Sequence, residues 1–251
     1  AVLMDVAGPG AVVRFWSGGQ MPKGKVRFYL DGGESPAIEA PMFDLMAGRA
    51  FVPPPLAIKN SGDAVNLYLP IPYAKHCKIT YDEARPGNPN APPPGRWYNI
   101  EYRIYPPGTR VQTFSMEAFQ AAKTTVDHTA KMLLDPPTFT GGQAAQLDTS
   151  IEPGQEASVD LPSGPAAVRV LQLHLEDGDA AQATQALRST VLRASFDGAE
   201  TVWCPVSDFF GSGVGQNVLA SWYRRVEKVG PLACRWVMPY EKSAQIGRAH
   251  V

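Results

Sequence analysis

"VMPYEKSAQI" (237–246) repeats, near the end of the chain, what "LPIPYAKHCKI" (69–79) writes near its start. Pro72, Tyr73 and Lys75 fall on Pro239, Tyr240 and Lys242 at an offset of 167, and Ile79 falls on Ile246. Working outward, "VRFYLDGGESPAIEAPMFD" (26–44) matches "VLRASFDGAETVWCPVSDFF" (191–210): Asp31 and Gly32 meet Asp197 and Gly198 at offset 166. Pro41 and Asp44 meet Pro205 and Asp208 at offset 164. Further upstream, "MDVAGPGAVVRFW" (4–16) aligns without gaps on "VDLPSGPAAVRVL" (159–171) at offset 155, placing Asp5 on Asp160, Ala11 on Ala166, Val13 on Val168 and Arg14 on Arg169. The order is preserved, and the offset grows by about eleven residues around "EDGDAAQATQALRS" (176–189). The chain is therefore an internal duplication with an insertion in its second copy.

Each copy reads as β. "AVVRFW", "KVRFYLDG", "VNLYLPI", "CKITY" and "WYNIEYRIY" are short runs of β-branched and aromatic residues bounded by Gly, Pro, Asn or Asp. The "DGGE" and "DGAE" elements supply turn residues that tolerate positive φ. Gly 23 and Pro 24 in 251 residues suit many strands joined by turns. The spacing predicts two tandem jelly-roll β-sandwiches, 1–113 and 151–251, joined through 114–150 by one α-helix. Ser115 caps that helix, Glu117 favours its N-terminal dipole and Pro136-Pro137 stops it. Met116, Phe119, Ala122, Val126, Ala130 and Leu133 form its apolar stripe.

The ends look cut. "AVLMDV" already reads as a strand, so the true N-terminus is expected upstream of Ala1. Copy one continues about thirty residues past Ile79, through "RWYNIEYRIY", whereas copy two stops five residues after Ile246. The second sandwich is thus expected to be truncated and to expose an unpaired sheet edge. The closing "IGRAHV" (246–251) resembles a translated sequencing adapter and is expected to be foreign to the gene.

Composition excludes several partners. A net charge of -1 without a basic block argues against nucleic acid. No stretch approaches the roughly 18 apolar residues of a membrane-spanning helix. The residues assign no compartment, and a periplasmic or extracellular one is compatible with them. Cys77, Cys204 and Cys234 are an odd number without CxxC spacing, and His76, His128, His174 and His250 are scattered. Neither a disulfide scaffold nor a metal site is expected. "GSGVG" has the wrong spacing for a dinucleotide loop and opens no helix, so no cofactor is expected.

"GPGAVVRFW", "YLDGGESPAIEAPMFD", "TVWCPVSDFFGSGVG" and "CRWVMPYEKSAQI" together resemble glycoside hydrolase family 172. The resemblance implies tandem jelly rolls assembled as homotrimers or multiples of them. It also implies retaining exo-hydrolysis of fructofuranosides or arabinofuranosides by two glutamates. The family's "GTGTEDYF"-like carboxylate segment has no copy here. The nearest counterpart is "CPVSDFFGSG", where Ser207 replaces the glutamate and Asp208 follows. The catalytic pair is then expected beyond this chain.

Among the carboxylates in or near the repeated motifs (Asp44, Asp208, Glu227 and Glu241), Asp208 and Glu241 are the catalytic candidates. Both copies keep the Asp of Asp44 and Asp208, which favours a shared loop-capping role, and Glu241 aligns with Ala74, which favours a solvated strand residue. Trp16, Asp44, Trp222, Tyr223 and Arg224 are the candidate sugar-binding residues: aromatic faces can stack on sugar rings, and charged heads can bond hydroxyls. Trp203 and Trp236 are expected to pack in a core or a subunit interface. Two readings stand: part of a furanoside-directed glycoside hydrolase, or a non-catalytic carbohydrate-binding or oligomer-forming double sandwich.

Overall fold

The computed structural model describes residues 1–19, 23–60, 62–83, 96–137, 139–175, 180–228 and 230–250. The chain is mainly β and divides into two compact units, Ala1–Met132 and Leu133–Val251.

In the first unit, β1 (Val2–Ala7), β2 (Gly10–Gly19), β3 (Lys25–Leu30), β4 (Ile38–Pro41), α1 (Met42–Met46), β5 (Ala57–Lys59), β6 (Val65–Leu67), β7 (Ile71–Tyr73), β8 (His76–Asp82) and β9 (Arg96–Ile104) precede α2 (Met116–Ala121) and α3 (Lys123–Leu134). One antiparallel sheet runs β1-β8-β3-β4 and the other β5-β6-β2-β7, with β9 paired along the opposite edge of β2. Period-two alternation sends Val26, Phe28 and Leu30 of β3 inward. Phe28 meets Phe15 of the facing sheet edge-on, with centroids 6.4 Å apart and both rings fully buried. Such a ring contributes roughly 1.5–3 kcal/mol by leaving water.

The second unit repeats the plan. It contains β10 (Glu156–Asp160), β11 (Ala166–Val168), β12 (Leu171–Leu173), α4 (Ala180–Ser189), β13 (Thr190–Phe196), β14 (Ala199–Pro205), α5 (Val206–Phe210), β15 (Leu219–Ala220), β16 (Arg224–Val226), β17 (Leu232–Cys234), β18 (Met238–Tyr240) and β19 (Ala244–His250). The sheet β10-β19-β13-β14 faces β11-β18 and β12-β17-β16-β15. Leu192, Ala194 and Ile246 from the first close a core with Val226, Leu232 and Cys234 from the second. Residues 246–250, read from sequence as foreign, complete β19 between β10 and β13. Among the described residues no strand takes the place on β11 and β12 that β9 takes on β2.

The duplication is visible atom by atom at one turn. Asp31 and Asp197 both stand at positive φ, 54° and 52°, and each is followed by a left-handed glycine. Asp31 accepts the backbone N–H groups of Ala74, Lys75 and His76 at 3.3, 2.6 and 3.1 Å. Asp197 accepts those of Glu241, Lys242 and Ser243 at 2.9, 2.6 and 3.1 Å. For Asp197 these three bonds hold the carboxyl below its usual value. For Asp31 burial pushes the other way, but the Thr113 hydroxyl and the same backbone donors prevail, and its pKa is lowered too. Short polar Asp is suited to this role because it tolerates the left-handed region.

Two expectations need correction. The gapless alignment of 4–16 on 159–171 is right for β1 and off by one after it. Gly8 donates to the Lys75 carbonyl (2.7 Å) as Gly164 donates to that of Lys242 (2.9 Å), and Gly10 pairs with Tyr73 as Ala166 pairs with Tyr240. Ala11 therefore corresponds to Ala167 and Arg14 to Val170, not to Ala166 and Arg169. The ten residues of α4 then account for the remaining length change. The other correction is that the single linking helix is two, α2 and α3, broken at Ala122 (φ -89°, ψ 1°). Alanine is the strongest helix former, so local propensity does not place this break. The Ser115 cap is present, its hydroxyl accepting the Ala118 N–H at 3.1 Å. Of the apolar stripe only Phe119 and Ala130 are buried, and Phe119 sits edge-on to Phe51 at 5.1 Å.

Candidate functional site

The site emerges where the two copies cease to match. Pro41 opposite Lys25 and Pro205 opposite Val191 make α1 and α5 equivalent, so Phe43 corresponds to Ser207, Asp44 to Asp208 and Ala47 to Gly211. The pairings Ala57 with Leu67 and Arg224 with Cys234 make Ala57 equivalent to Arg224, and at the same offset Leu69 corresponds to Trp236.

In the first sandwich this patch is sealed: Phe43 is 7% exposed, Ala57 0% and Leu69 7%. The Arg49 guanidinium lies over the Phe43 ring at 4.9 Å. In the second sandwich the ring is replaced by Ser207, itself fully buried, and α4 brings Arg188 to it. One Arg188 nitrogen donates to the Ser207 hydroxyl at 3.0 Å and to the Asp208 carboxylate at 2.5 Å. Among the described residues nothing equivalent to α4 stands in the first copy and Asp44 has no such arginine; its backbone carbonyl accepts the N–H groups of Arg49 and Ala50.

Gly211 adopts the left-handed conformation (φ 79°) that ends α5. A Cβ there would lie 2.7 Å from an Arg224 nitrogen, so the missing side chain is what lets the guanidinium approach. Arg224 lies 5.6 Å over the Trp236 ring, and Trp236 meets Phe209 edge-on at 5.5 Å. Trp236 is 39% exposed. The outcome is a surface patch with a carboxylate, two guanidinium groups and an aromatic ring over the buried Phe209-Phe210 pair. Burial pushes the Cys204 thiol up, and the Asp208 charge adds to it; it is not a poised nucleophile.

Of the candidates from sequence, Asp208 and Arg224 are brought into this patch. Tyr223 borders it, since its carbonyl accepts the Arg235 N–H (2.7 Å), and its ring is exposed. Trp222 is half-buried beside it. Glu241 is elsewhere: its N–H serves Asp197, at the opposite end of β13 from Pro205 and α5. Five residues of strand separate those ends, about 17 Å. Asp208 and Glu241 therefore cannot act as one pair, since retaining hydrolysis needs carboxyls about 5 Å apart. Asp44 and Trp16 belong to the first unit, where Trp16 is half-buried and lies across Gly18 of its own strand. Glu227 is engaged by Arg225 at 2.8 Å.

Sequence reading missed Arg188, because it lies in the inserted segment with no partner copy, and Trp236, expected to be packed away. Trp203 is not in the core of its sandwich: it is 60% exposed on the outer face of β14. Among the described residues no three His, Cys, Asp or Glu side chains are grouped to hold a metal ion, and no helix is long and apolar enough to cross a membrane.

Two family models match the chain. The model described as the GH172 first beta-sandwich domain covers residues 1–122, and the one described as GH172 domain-like covers residues 141–249. No curated protein matches it.

Proposed function

Because this chain belongs to glycoside hydrolase family 172, whose domains point to a carbohydrate-active protein, we propose that it recognises furanosides at the α5 patch. The observation that carries this reading is the replacement of Phe43, Ala47, Ala57 and Leu69 by Ser207, Gly211, Arg224 and Trp236 at equivalent positions. A set of largely buried apolar positions becomes a place where donors, an acceptor and a ring face converge. The Asp208 carboxylate can accept sugar hydroxyls, Arg188 and Arg224 can donate to them, and the open part of Trp236 offers an apolar surface to the C–H face of a sugar.

Within the patch, Asp208 is the carboxylate present among the described residues, and Arg188 occupies it. Hydrolysis with retention therefore needs a second carboxylate from outside the patch, as the resemblance to a family with two catalytic glutamates suggests. The same observation supports a second reading, a non-catalytic sugar-binding sandwich. Assembly as a homotrimer is part of the furanosidase proposal.

The test pairs binding and turnover. Titrating the chain with aryl fructofuranosides and arabinofuranosides should show saturable binding that Asp208→Asn and Trp236→Ala weaken, with little or no release of the aryl alcohol. Turnover by the 251-residue chain that survives Asp208→Asn would remove the α5 patch from the reaction. No binding of either furanoside would overturn the specificity.

A further inference from the structure

The second sandwich departs from the first on its outer face as well. Register places Ser158, Gly247, Arg193 and Trp203 side by side across β10, β19, β13 and β14. The corresponding row of the first sandwich carries Thr80, Arg27 and Glu39 across β8, β3 and β4. There Arg27 is closed by Glu39 directly opposite (2.7 Å) and by Asp82. In the second copy the residue opposite the arginine is Trp203, 60% exposed, while the carboxylates move to either side: Glu200 holds Arg193 at 2.7 Å and Glu156 holds it from β10. Gly247 leaves the floor bare; a Cβ there would meet the Ala157 carbonyl oxygen at 2.5 Å. A depression of about 240 Å³ results, lined by Glu156, Ser158, Arg193, Glu200, Gln245 and Gly247 among others.

We propose that this face is a second carbohydrate-binding site, in which a neutral glycan chain lays one sugar ring on Trp203 and bonds its hydroxyls to Arg193, Glu200 and Gln245. Three features select that occupant. Arg193 is already neutralised by two carboxylates, so its head group offers donors paired with acceptors rather than free charge, which suits hydroxyls and not phosphate or a carboxylate; the other arginine of the lining, Arg248, pairs with Leu192 at the alternate position of β19. The single large apolar group is a planar indole beside a polar floor. A protein interface would instead call for a charge-depleted apolar centre, and this face has exposed Glu156, Ser158 and Asp160 along β10. The site rests on the carbohydrate-active reading, but not on the α5 patch.

The experiment is affinity electrophoresis of the full 251-residue chain through gels containing linear arabinan or levan. It is run on the wild type and on Ser207→Phe, which closes the α5 patch as Phe43 does in the first copy. Ser207→Phe should still be retarded. Adding Trp203→Ala should weaken retardation about tenfold, and adding Gln245→Ala should weaken it less. Trp97→Ala, which removes another exposed indole (70%), should change nothing. Equal retardation with and without Trp203 and Gln245 would overturn the site. So would loss of all retardation in Ser207→Phe alone, which would leave the α5 reading standing. A Trp203→Ala chain whose oligomeric mass changes while its retardation does not would make the face a subunit contact and overturn the proposal. Lack of retardation of the wild type would overturn it as well, and the furanoside titrations would then decide the α5 patch separately.

Discussion

The helical turn α1 and its counterpart α5 occupy the same place in two sandwiches, yet one is sealed and the other open. Around α1, Phe43, Ala57 and Leu69 are all buried; around α5, Ser207, Arg224 and Trp236 replace them, and α4 delivers Arg188. Both keep an Asp at the same helical position, but among the described residues it is Asp208 that has an arginine partner. A shared residue thus reports the common fold, and function is sought where equivalent positions carry different chemistry.

The largest expected effect tests what the copies share. Asp31→Ala removes three backbone N–H bonds and the Thr113 contact, and leaves Ala at positive φ. It should lower the unfolding free energy by roughly 2–3 kcal/mol, read as a lower urea midpoint. Asp197→Ala should act in the same direction, and less, because its carboxylate is more exposed. A neutral result for Asp31→Ala would break the equivalence of the two turns as structural devices.

Next come changes that convert one copy toward the other. Ser207→Phe should reduce furanoside affinity at least about tenfold, roughly 1.4 kcal/mol, by taking the space of the Arg188 head group. Arg188→Ala should weaken affinity comparably while moving the urea midpoint little, since an exposed ion pair contributes about 0–1 kcal/mol. Unchanged affinity in both would mean that the divergence around α5 is not for sugar.

Gly211→Ala is expected to cost about 1 kcal/mol, because the residue stands in the left-handed region and its Cβ would press on Arg224. The equivalent Ala47, at φ -92°, has no such demand. A Gly211→Ala chain with wild-type melting would show that Arg224 can move away freely.

The smallest effect is a pH dependence. Asp31 and Asp197 are held below their ordinary carboxyl value in the folded state. Their contribution is present above the unfolded pKa, about 3.9, and is lost as pH falls through the lower folded values. Stability measured from pH 5 downward should therefore decline, and less steeply in the Asp31→Ala chain. An identical acid slope in that chain would remove Asp31 as a contributor.

By itself the sequence determined the duplication, the two sandwiches, their strands and the paired Asp-Gly turns. It could do so because those features are local: alternation, turn chemistry and collinear repeats are written in consecutive residues. It also pointed to Asp208 and Arg224, through the repeated motif and the aromatic-basic run. Tertiary structure decided the rest. The one-residue shift between β1 and β2 is invisible to an alignment that maximises identities, since "AVVR" and "AAVR" match best in the wrong frame. Only hydrogen bonding to β7 and β18 fixes which residues share a face, because a slip by one residue turns every side chain over. The exposure of Trp203 and Trp236, and the arrival of Arg188 at Ser207, likewise depend on which strands lie side by side. Those contacts join residues far apart in the chain or drawn from an insertion that has no copy to compare, and no periodicity records them.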